Sequence, residues 1–545
     1  MTPPPDVLFV NGPVHTMDSV DTYHTALAMT AGTITALGDA ATAARGPRTE
    51  VIDLDGRAVL PGFIDAHIHP VVAGIESQQA DLSSATTIGE CLSIVGAYAR
   101  THPRSEWIVG GGWSMELFDL GGPTRELLDS LAEERPIYLV NRDHHGAWVN
   151  SCALRRASID QMTPDPADGR IERDHTGTPT GMLHEGAMGL INRHIPPPTK
   201  AEKLSGLLTA QRLLHAYGIT GWQDALLGDS PLMPDVTTAY LDAITAGHLT
   251  AKVVGALWWD RNRGAEQIDE LVQRRNHHQQ QGLDTNTVKI MQDGIAENFT
   301  AAMIAPYFDC CGHPTGNRGL SFVDAHLLGD YVTVLDQLGF QVHFHALGDR
   351  AVREALDALE TARNTNGPTD NRHHLAHLQV VAPEDIARFR ENGATATIQP
   401  LWATHEPQMD ELTIPFLGAE RACRQYPFAD LARSGAIIAA GSDWPVSSPN
   451  PWEAIHVAVN RSSIDASTEP FLPEQRIDLH TAINAYTSRS AHINRLDDTG
   501  TLRVGNAADL IITNTDPYTT PTHELGHITV DMTFVNGICV HHADN

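Results

Sequence analysis

Eight short apolar runs, separated by segments with a helical pattern, constrain the fold of this chain more than any other feature. They cover residues 59–69, 219–224, 252–258, 287–293, 341–348, 374–380, 396–402 and 437–443. Runs of this length that alternate with helices are typical of βα units, whose strands form a parallel sheet. Eight such units close a (β/α)8 barrel, in which the carboxyl ends of the strands build the active site. The sequence therefore predicts an α/β fold with a TIM barrel at its centre.

Side chains that bind metal ions are concentrated near the carboxyl ends of these runs. The first run ends with His67 and His69, which share one face because alternate side chains of a strand point the same way. Further histidines, a lysine and an aspartate occupy the fourth, fifth, sixth and eighth runs: Lys289, His343, His345, His374, His377 and Asp443. Imidazole is the commonest metal-binding side chain near neutral pH. We therefore predict a metal site at the barrel mouth.

Several of these residues also have a structural interpretation. Lys289 lies in a β-like run, where a buried lysine loses hydration unless it has a partner, and an ion pair with Asp293 would supply one. Asp443 follows a serine and could begin a helix as its N-cap. His343 and His374 are further from the strand ends, which favours interior packing, although His343 could be a deeper ligand. These alternatives stay open at the level of sequence.

Composition excludes some partners and compartments. A net charge of −30 would be repelled by nucleic acid and by anionic membranes, so we expect neither as a partner. No apolar stretch approaches the roughly 18 residues that span a bilayer, and the first residues lack a secretory pattern, which indicates the cytoplasm. The cysteines show no Cys-x-x-Cys pair, so no thiolate zinc site is predicted. Adjacent Cys310 and Cys311 are expected to be structural, with a metal-bridging thiolate as the alternative.

The predicted barrel does not account for the whole chain. Residues 1–57 have the pattern of short strands separated by turns, and the same pattern returns in residues 497–545, so the two ends are expected to form one composite β-sandwich. The barrel is assigned to residues 58–75 and 205–496. The interval between the first two runs is far too long for one crossover helix, so residues 76–204 are expected to form an insertion that covers the barrel mouth.

The motifs at these strand ends resemble those of a known family. They are Leu60-Pro-Gly-Phe-Ile-Asp-Ala-His67-Ile-His69, His345-Ala-Leu-Gly-Asp349, His377-Leu-Gln, Gln399-Pro400, Gly441-Ser-Asp443-Trp-Pro-Val and Gly500-Thr-Leu-Arg-Val-Gly505. Together they resemble the amidohydrolase superfamily, and within it the amidohydrolase-3 branch of YtcJ-like proteins and N-substituted formamide deformylases. The resemblance covers nearly the whole chain. It implies a distorted barrel combined with a composite β-sandwich.

The resemblance also implies a centre of two divalent metal ions. Carried over to this sequence, the ligands are His67, His69 and Asp443 for the more buried ion and His345 and His377 for the second ion. Lys289, carboxylated by CO2 on its amine, would bridge the two ions. Zinc is the implied metal, and nitrogen and oxygen ligands also accept manganese, iron or nickel.

The implied activity is hydrolysis of a C–N bond in a small-molecule amide, with N-substituted formamides as one candidate class. A hydroxide that bridges the ions, formed because they lower the pKa of water to about 7, would attack the carbonyl while Asp443 takes up and returns the proton. The same site could instead act on an ester or carbamate, or as a deaminase, although Lys289 argues against one-metal deaminases. A non-catalytic, metal-binding regulatory protein is the remaining alternative.

Four further residues are predicted to contact the substrate: His145, Trp113, Gln399 and Trp402. His145 lies in a loop-like His-His-Gly-Ala-Trp stretch, and Trp113 follows three glycines. Trp402 stands where many YtcJ-like relatives have a histidine, so the pocket wall is expected to differ from theirs. If Trp113, Trp148 and Trp402 line the mouth, they favour an apolar or aromatic N-substituent. Family members are often dimers, so a homodimer is a further expectation.

Overall fold

A nearly closed ring of parallel strands forms the centre of the protein. The computed structural model describes residues 4–18, 23–118, 122–132, 134–230, 233–464 and 469–543. Its central sheet has eight strands, β1 (Phe63–Ile68), β2 (Ile219–Leu227), β3 (Lys252–Trp258), β4 (Asp284–Met291), β5 (Gln341–Ala346), β6 (His374–His377), β7 (Thr395–Ile398) and β8 (Ile437–Ala440). Each pairs in parallel with the next in chain order. The predicted barrel is confirmed.

The first and last strands of the ring are joined just beyond the end of β8. The backbone N–H of Asp443 donates to the carbonyl of His67 at 2.8 Å, and the N–H of His69 donates to the carbonyl of Trp444 at 2.9 Å. Gly441 permits this approach, because a Cβ there would lie 2.6 Å from the nitrogen of His67. The closure therefore brings the two ends of the predicted ligand set together.

Helices cover the outside of the barrel. They are Pro70–Glu76, Lys200–Ala216, Thr237–Thr245, Ile268–Gln280, Ala325–Gln337, Asp349–Asn366, Ile386–Asn392, Phe428–Ser434, Pro451–Asn460, Leu479–Tyr486 and Ser488–Ile493. The helix Asp349–Asn366 shows the reason, since Val352, Leu356 and Leu359 recur at helical spacing and are buried against the strands. None of the helices in the described ranges combines the length and apolar character that crossing a bilayer requires.

Strands from both ends of the chain form a second sheet. It contains Val7–His15, Tyr23–Thr30, Thr33–Leu37, Glu50–Asp53, Ala58–Pro61, Leu510–Thr513, Val530–Val535 and Ile538–His542. The strand Ala58–Pro61, which the sequence prediction placed in the barrel, pairs here with Leu510–Thr513. The apolar run divides at Gly62, where a Cβ would lie 2.3 Å from the side chain of Thr220. One continuous apolar run therefore supplies strands to two sheets.

The segment between β1 and β2 contains a sheet of its own. Its six strands are Ala80–Asp81, Ile108–Trp113, Ile137–Asn141, Gly146–Val149, Gly169–Arg173 and Pro179–Glu185. The helices Ile88–Thr101, Arg125–Asp129, Ser151–Arg156 and Gly189–Asn192 accompany them. This segment contacts the barrel at its mouth, where His144 Nε2 lies 2.9 Å from Glu76 Oε1 and Arg142 Nη2 donates to Gln408 Oε1 at 2.6 Å.

The remaining helical segments are short. They are Asp39–Ala43, Met115–Leu117, Gly186–Met188, Ala265–Gln267, Pro383–Asp385, Pro400–Trp402, Gln408–Thr413, Ile414–Leu417, Ala419–Ala422, Pro473–Gln475 and Thr522–His527. Gln408–Thr413 has π-helical geometry, which occurs most often as a local distortion near functional sites. It lies in the connection that follows β7, over the barrel mouth.

Candidate metal centre and its cavity

Two histidines and an aspartate meet where β1 adjoins the segment after β8. The Nε2 atoms of His67 and His69 each lie 3.3 Å from Oδ1 of Asp443. One possible ligand atom from each residue lies within 4.8 Å of the other two, and all three side chains are buried. The histidines point the same way because they alternate along an extended chain. The structure therefore brings together the three residues that the family resemblance assigned to the more buried ion.

Two further histidines complete one side of the cluster. The ring centroids of His345 and His377 lie 4.5 Å apart, and that of His377 lies 4.7 Å from that of His67. Within the described part of the chain, neither ring nitrogen of His377 has a hydrogen-bond partner, although both are buried. A buried polar atom without a partner costs about 1–3 kcal/mol, whereas a metal ion would use its lone pair. This donor set fits a divalent metal ion.

Lys289 reaches the same place from β4. Its Nζ lies 3.4 Å from Nε2 of His67, and its side chain is almost fully buried. Burial lowers the pKa of Lys289 to about 7, because the charged ammonium loses hydration. The alternative ion pair with Asp293 does not form between these described residues. Asp293 instead accepts backbone N–H groups from Leu347 and Gly348 at 3.1 and 2.8 Å.

The charges at the cluster suit metal binding. Burial lowers the pKa of His67 to about 3 and holds those of His345 and His377 well below their usual range, so these imidazoles keep a free lone pair at neutral pH. Burial alone would raise the pKa of Asp443, but contact with His67 and His69 holds it well below its usual range. The cluster therefore presents neutral nitrogen donors and one carboxylate.

A chain of hydrogen bonds lies behind His67. His343 Nε2 is 2.9 Å from Nδ1 of His67, and His343 Nδ1 is 2.6 Å from Oε1 of Gln223. The ring of His374 is inclined by 36° to that of His343, with centroids 3.9 Å apart, and His374 does not line the cavity. The prediction that His343 and His374 are interior residues agrees with these positions, but the contact between His343 and His67 was not foreseen.

The cluster lies at the bottom of a cavity of about 590 Å³, a volume typical of small-molecule sites. Trp402 forms part of its wall and stacks on His377, with ring centroids 5.2 Å apart and ring planes inclined by 9°. Apolar side chains supply much of the remaining wall, among them Leu226, Met233, Trp258, Met291 and Leu401. One part of the cavity wall is therefore apolar, and the metal-binding cluster lies at the base of the cavity.

His145 enters this cavity from the insertion. Its ring centroid lies 5.5 Å from that of His345, and its Nδ1 lies 3.0 Å from both carboxylate oxygens of Glu185. Burial alone would lower the pKa of His145, but the Glu185 carboxylate raises it to about 9. Thr300 also donates to Glu185 at 2.7 Å. Sequence reasoning found His145 but missed Glu185, whose only signal was an acidic residue at the end of an apolar strand.

Trp113, Trp148 and Gln399 do not line this cavity. Trp113 and Trp148 are fully buried inside the insertion, with ring centroids 6.1 Å apart, and the indole N–H of Trp113 donates to the carbonyl of Leu139 at 3.0 Å. Gln399 is buried at the end of β7 and accepts the backbone N–H of His377 at 2.9 Å. Of the predicted substrate contacts, the structure therefore brings only His145 and Trp402 to the cluster.

Sequence reasoning also missed an acidic wall of the cavity. Glu297 and Glu406 line it, and burial raises the pKa of both carboxyl groups. Nη2 of Arg142 lies 3.4 Å from Oε2 of Glu406. These residues follow β4 and β7 or belong to the insertion, in segments whose path cannot be derived from local patterns. Cys310 and Cys311 are exposed on a turn and do not line the cavity.

Comparisons with known proteins identify the family. The family model described as "Amidohydrolase family" matches residues 50–541. The chain is 30% identical to protein LONG AFTER FAR-RED 3 of Arabidopsis thaliana over 95% of this chain and 89% of that protein. It is 26% identical to the N-substituted formamide deformylase of Arthrobacter pascens over 99% and 98% of the two chains.

A solved structure matches the whole architecture. An uncharacterized metal-dependent hydrolase from Pyrococcus furiosus superposes with a TM-score of 0.70 at 25% identity, over 94% of this chain and 99% of that one. The family match, the barrel and the histidine–aspartate cluster agree with one another. The chain belongs to the amidohydrolase family, and its cavity carries the metal-binding side chains of a metal-dependent hydrolase.

Proposed function

We propose that this protein hydrolyses the C–N bond of small amides, with N-substituted formamides as the substrate class. The observation that carries the proposal is the convergence of His67, His69 and Asp443 at the base of the cavity. Similarity to a formamide deformylase along nearly the whole chain supports the bond type. The apolar wall supports a substrate whose nitrogen carries an apolar group.

The proposed centre would hold two divalent metal ions. Zinc suits its nitrogen and oxygen donors. The proposed ligands are His67, His69 and Asp443 for one ion and His345 and His377 for the other. When bound, such ions supply an activated water and a Lewis acid that polarises the carbonyl.

Lys289, carboxylated on its amine, would supply oxygen donors to both ions. Because its pKa is about 7, much of its amine is neutral near pH 7, and the neutral form can attack CO2. The new N–C bond creates a carbamate anion and releases one proton to solvent. This conversion removes a buried cation beside His67 and supplies oxygen donors. A carbamate signal in the carbon-13 NMR spectrum after equilibration with labelled bicarbonate would check this step.

Asp443 and His145 are proposed to move the proton and to bind the carbonyl group. Asp443 is ionised, so it can accept a proton from the attacking water and later deliver it to the departing nitrogen. The backbone of Asp443 has a φ of 55° and donates its N–H to the carbonyl of His67 at 2.8 Å, and its carboxylate lies 3.3 Å from both His67 and His69. The positively charged His145, fixed by Glu185, can stabilise negative charge on the carbonyl oxygen.

Amide turnover by purified, metal-loaded protein tests the proposal. We expect N-benzylformamide to be hydrolysed faster than a linear aliphatic amide, because Trp402 and other apolar side chains form one part of the cavity wall. Asp443→Asn should lower kcat by about 10²–10⁴-fold, since general acid–base catalysis contributes that much. Asp357→Asn is the matched control, because that carboxylate is 61% exposed on an outer helix and should leave the rate unchanged.

Two results would contradict this function. Faster hydrolysis of the aliphatic amide would exclude the proposed substrate class. Bound metal without hydrolysis of any amide, ester or carbamate would favour a regulatory protein instead.

A further inference from the structure

A second group of metal-binding side chains lies on a surface turn between β4 and the helix Ala325–Gln337. The turn has the sequence Asp309-Cys310-Cys311-Gly312-His313. Asp309, Cys311 and His313 each offer a ligand atom within 4.8 Å of the other two. In the described ranges of the chain, only this group and the one at the barrel mouth meet that condition. The proposed hydrolytic function uses none of these residues.

The backbone holds the turn closed. Asp309 N–H donates to the carbonyl of His313 at 2.8 Å, and Gly312 N–H donates to the carbonyl of Asp309 at 3.0 Å. Phe308 and Pro314 form a bridge on either side. Gly312 has a φ of 77°, a conformation that side chains disfavour, so a glycine is needed at the tip. The three ligand-bearing positions are therefore held close by the backbone itself.

Two side-chain distances match the edges of a zinc tetrahedron. Zinc binds cysteine sulfur at about 2.3 Å and histidine nitrogen at about 2.0–2.1 Å, so two thiolates lie about 3.8 Å apart and a nitrogen–oxygen pair about 3.4 Å apart. The Sγ atoms of Cys310 and Cys311 are 3.9 Å apart. His313 Nδ1 and Asp309 Oδ2 are 3.5 Å apart. Asp309, Cys311 and His313 thus already offer three donors close to the required spacing, and the Sγ of Cys310, which lies beside that of Cys311, is the other sulfur of the turn.

Asp309 presents one free oxygen to this group. Its Oδ1 accepts the backbone N–H groups of Cys311 and His313 at 2.9 and 2.8 Å, which leaves Oδ2 available. The net charge of −30 also attracts cations to the surface. Two sulfur atoms, an imidazole and a carboxylate favour zinc over magnesium or calcium, which prefer oxygen ligands alone.

We propose that this turn is a structural zinc site with Cys310, Cys311, His313 and Asp309 as its four ligands. Each thiol loses its proton to solvent when its sulfur binds, so one zinc ion releases two protons. Four protein ligands leave no open position, so the site holds the turn and takes no part in hydrolysis. Sequence spacing did not predict it, because the cysteines are adjacent and lack the usual Cys-x-x-Cys separation.

Cobalt titration of the full-length protein, kept reduced by a phosphine, tests the proposal. Thiolate ligands give cobalt an intense near-ultraviolet charge-transfer absorption, and the centre at the barrel mouth has no sulfur ligand. We expect this absorption to appear in the wild type, to saturate at a single equivalent of sulfur-bound cobalt, and to bleach on addition of zinc. Cys311→Ser should lose it, whereas Cys423→Ser, which removes an exposed cysteine elsewhere, should keep it.

The proposal fails if reduced wild-type protein shows no such absorption, or shows it only at millimolar cobalt. It also fails if the double variant Cys310→Ser, Cys311→Ser retains the absorption. Amide hydrolysis should be unchanged in these variants. If the cysteine variants lose the absorption but still hydrolyse the amide, the turn site is supported whatever the substrate of the barrel site. If neither wild type nor variants hydrolyse the amide, that result bears only on the proposed function.

Discussion

His343 is the residue that holds the candidate ligand His67 in place. If His67 binds metal through Nε2, its Nδ1–H donates to His343 Nε2, and His343 in turn donates from Nδ1 to Gln223 Oε1. The amide nitrogen of Gln223 is already directed at Asn494, 2.8 Å away, so its oxygen must face His343. These bonds fix the tautomer of both imidazoles. Outer partners of this kind commonly tune metal affinity.

Replacement of His343 should therefore weaken metal binding. His343→Leu preserves approximate volume but leaves Nδ1 of His67 without a partner, so we expect zinc affinity at the barrel mouth to fall by about 10–100-fold. His374→Leu is the matched control, because His374 is equally buried beside His343 but bonds to Thr397. Competition with a chromophoric chelator measures both affinities. Equal losses in the two variants would show that the effect comes from packing alone.

Single residues were predictable from sequence where their chemistry was unusual for their position. Lys289 in a β-like run and paired histidines at a strand end conflict with ordinary packing, so they indicated a site. Glu185 was not predictable, because acidic residues are common at the ends of strands. Its role is indicated only by the structure, in which it lies 3.0 Å from His145. Trp113 followed a glycine-rich stretch that suggested a loop, but the glycines belong to a buried strand. Because these glycines have no side chain, the neighbouring backbone packs directly against them.

At the scale of elements, the eight strands were predictable because each is a short apolar run between helical segments. Their ends were less predictable, since Ala58–Pro61 and β1 form one apolar run in the sequence. The segment after β7 was not predictable at all. Its π-helix Gln408–Thr413 lines the cavity and contacts the insertion, where Gln408 accepts a hydrogen bond from Arg142. Local patterns carry no record of such contacts.

Asp336 connects one helix to the segment that enters β6. Its carboxylate accepts hydrogen bonds from Asn366, Thr369 and Asn371 at 2.8, 2.6 and 2.6 Å, and His373 Nε2 lies 3.0 Å away. Burial alone would raise the pKa of Asp336, but these partners hold it well below its usual range. A carboxyl whose pKa is lowered by folding stabilises the protein above its unfolded pKa of about 3.9. That stabilisation is lost as the pH falls through the folded value.

Asp336→Asn should lower the free energy of unfolding by about 2 kcal/mol at pH 7, because the amide cannot accept all of these bonds. The difference from wild type should shrink as the pH falls below about 4, because the carboxyl of the unfolded chain then takes up a proton while the folded one, whose pKa is lower, is still ionised. Urea unfolding at a series of pH values measures the difference in the free energy of unfolding between the two proteins. Asp330→Asn, exposed on the same helix, is the control and should have little effect at any pH. A difference that grows in acid would contradict this account.

At the scale of the whole molecule, the barrel supplies the metal-binding cluster, while the insertion supplies a wall of the cavity. The two parts meet at Arg142, which donates to Gln408 at 2.6 Å and lies 3.4 Å from Glu406. Loops that cover active sites are commonly held by a few such contacts and open during turnover. This contact is partly exposed, so screening by solvent limits its contribution to about 0.5–1 kcal/mol.

Arg142→Ala should therefore open this side of the cavity without unfolding the protein. We expect amide hydrogen exchange in residues 403–413 to become about 2–5-fold faster, the factor that 0.5–1 kcal/mol provides, and KM to rise by a similar factor with kcat little changed. Arg173→Ala is the control, because Arg173 bonds to Asp165 inside the insertion. Hydrogen–deuterium exchange followed by mass spectrometry distinguishes the effects of the two variants. If Arg142→Ala lowers kcat and leaves exchange unchanged, Arg142 acts on the substrate directly and not by holding the insertion against the barrel.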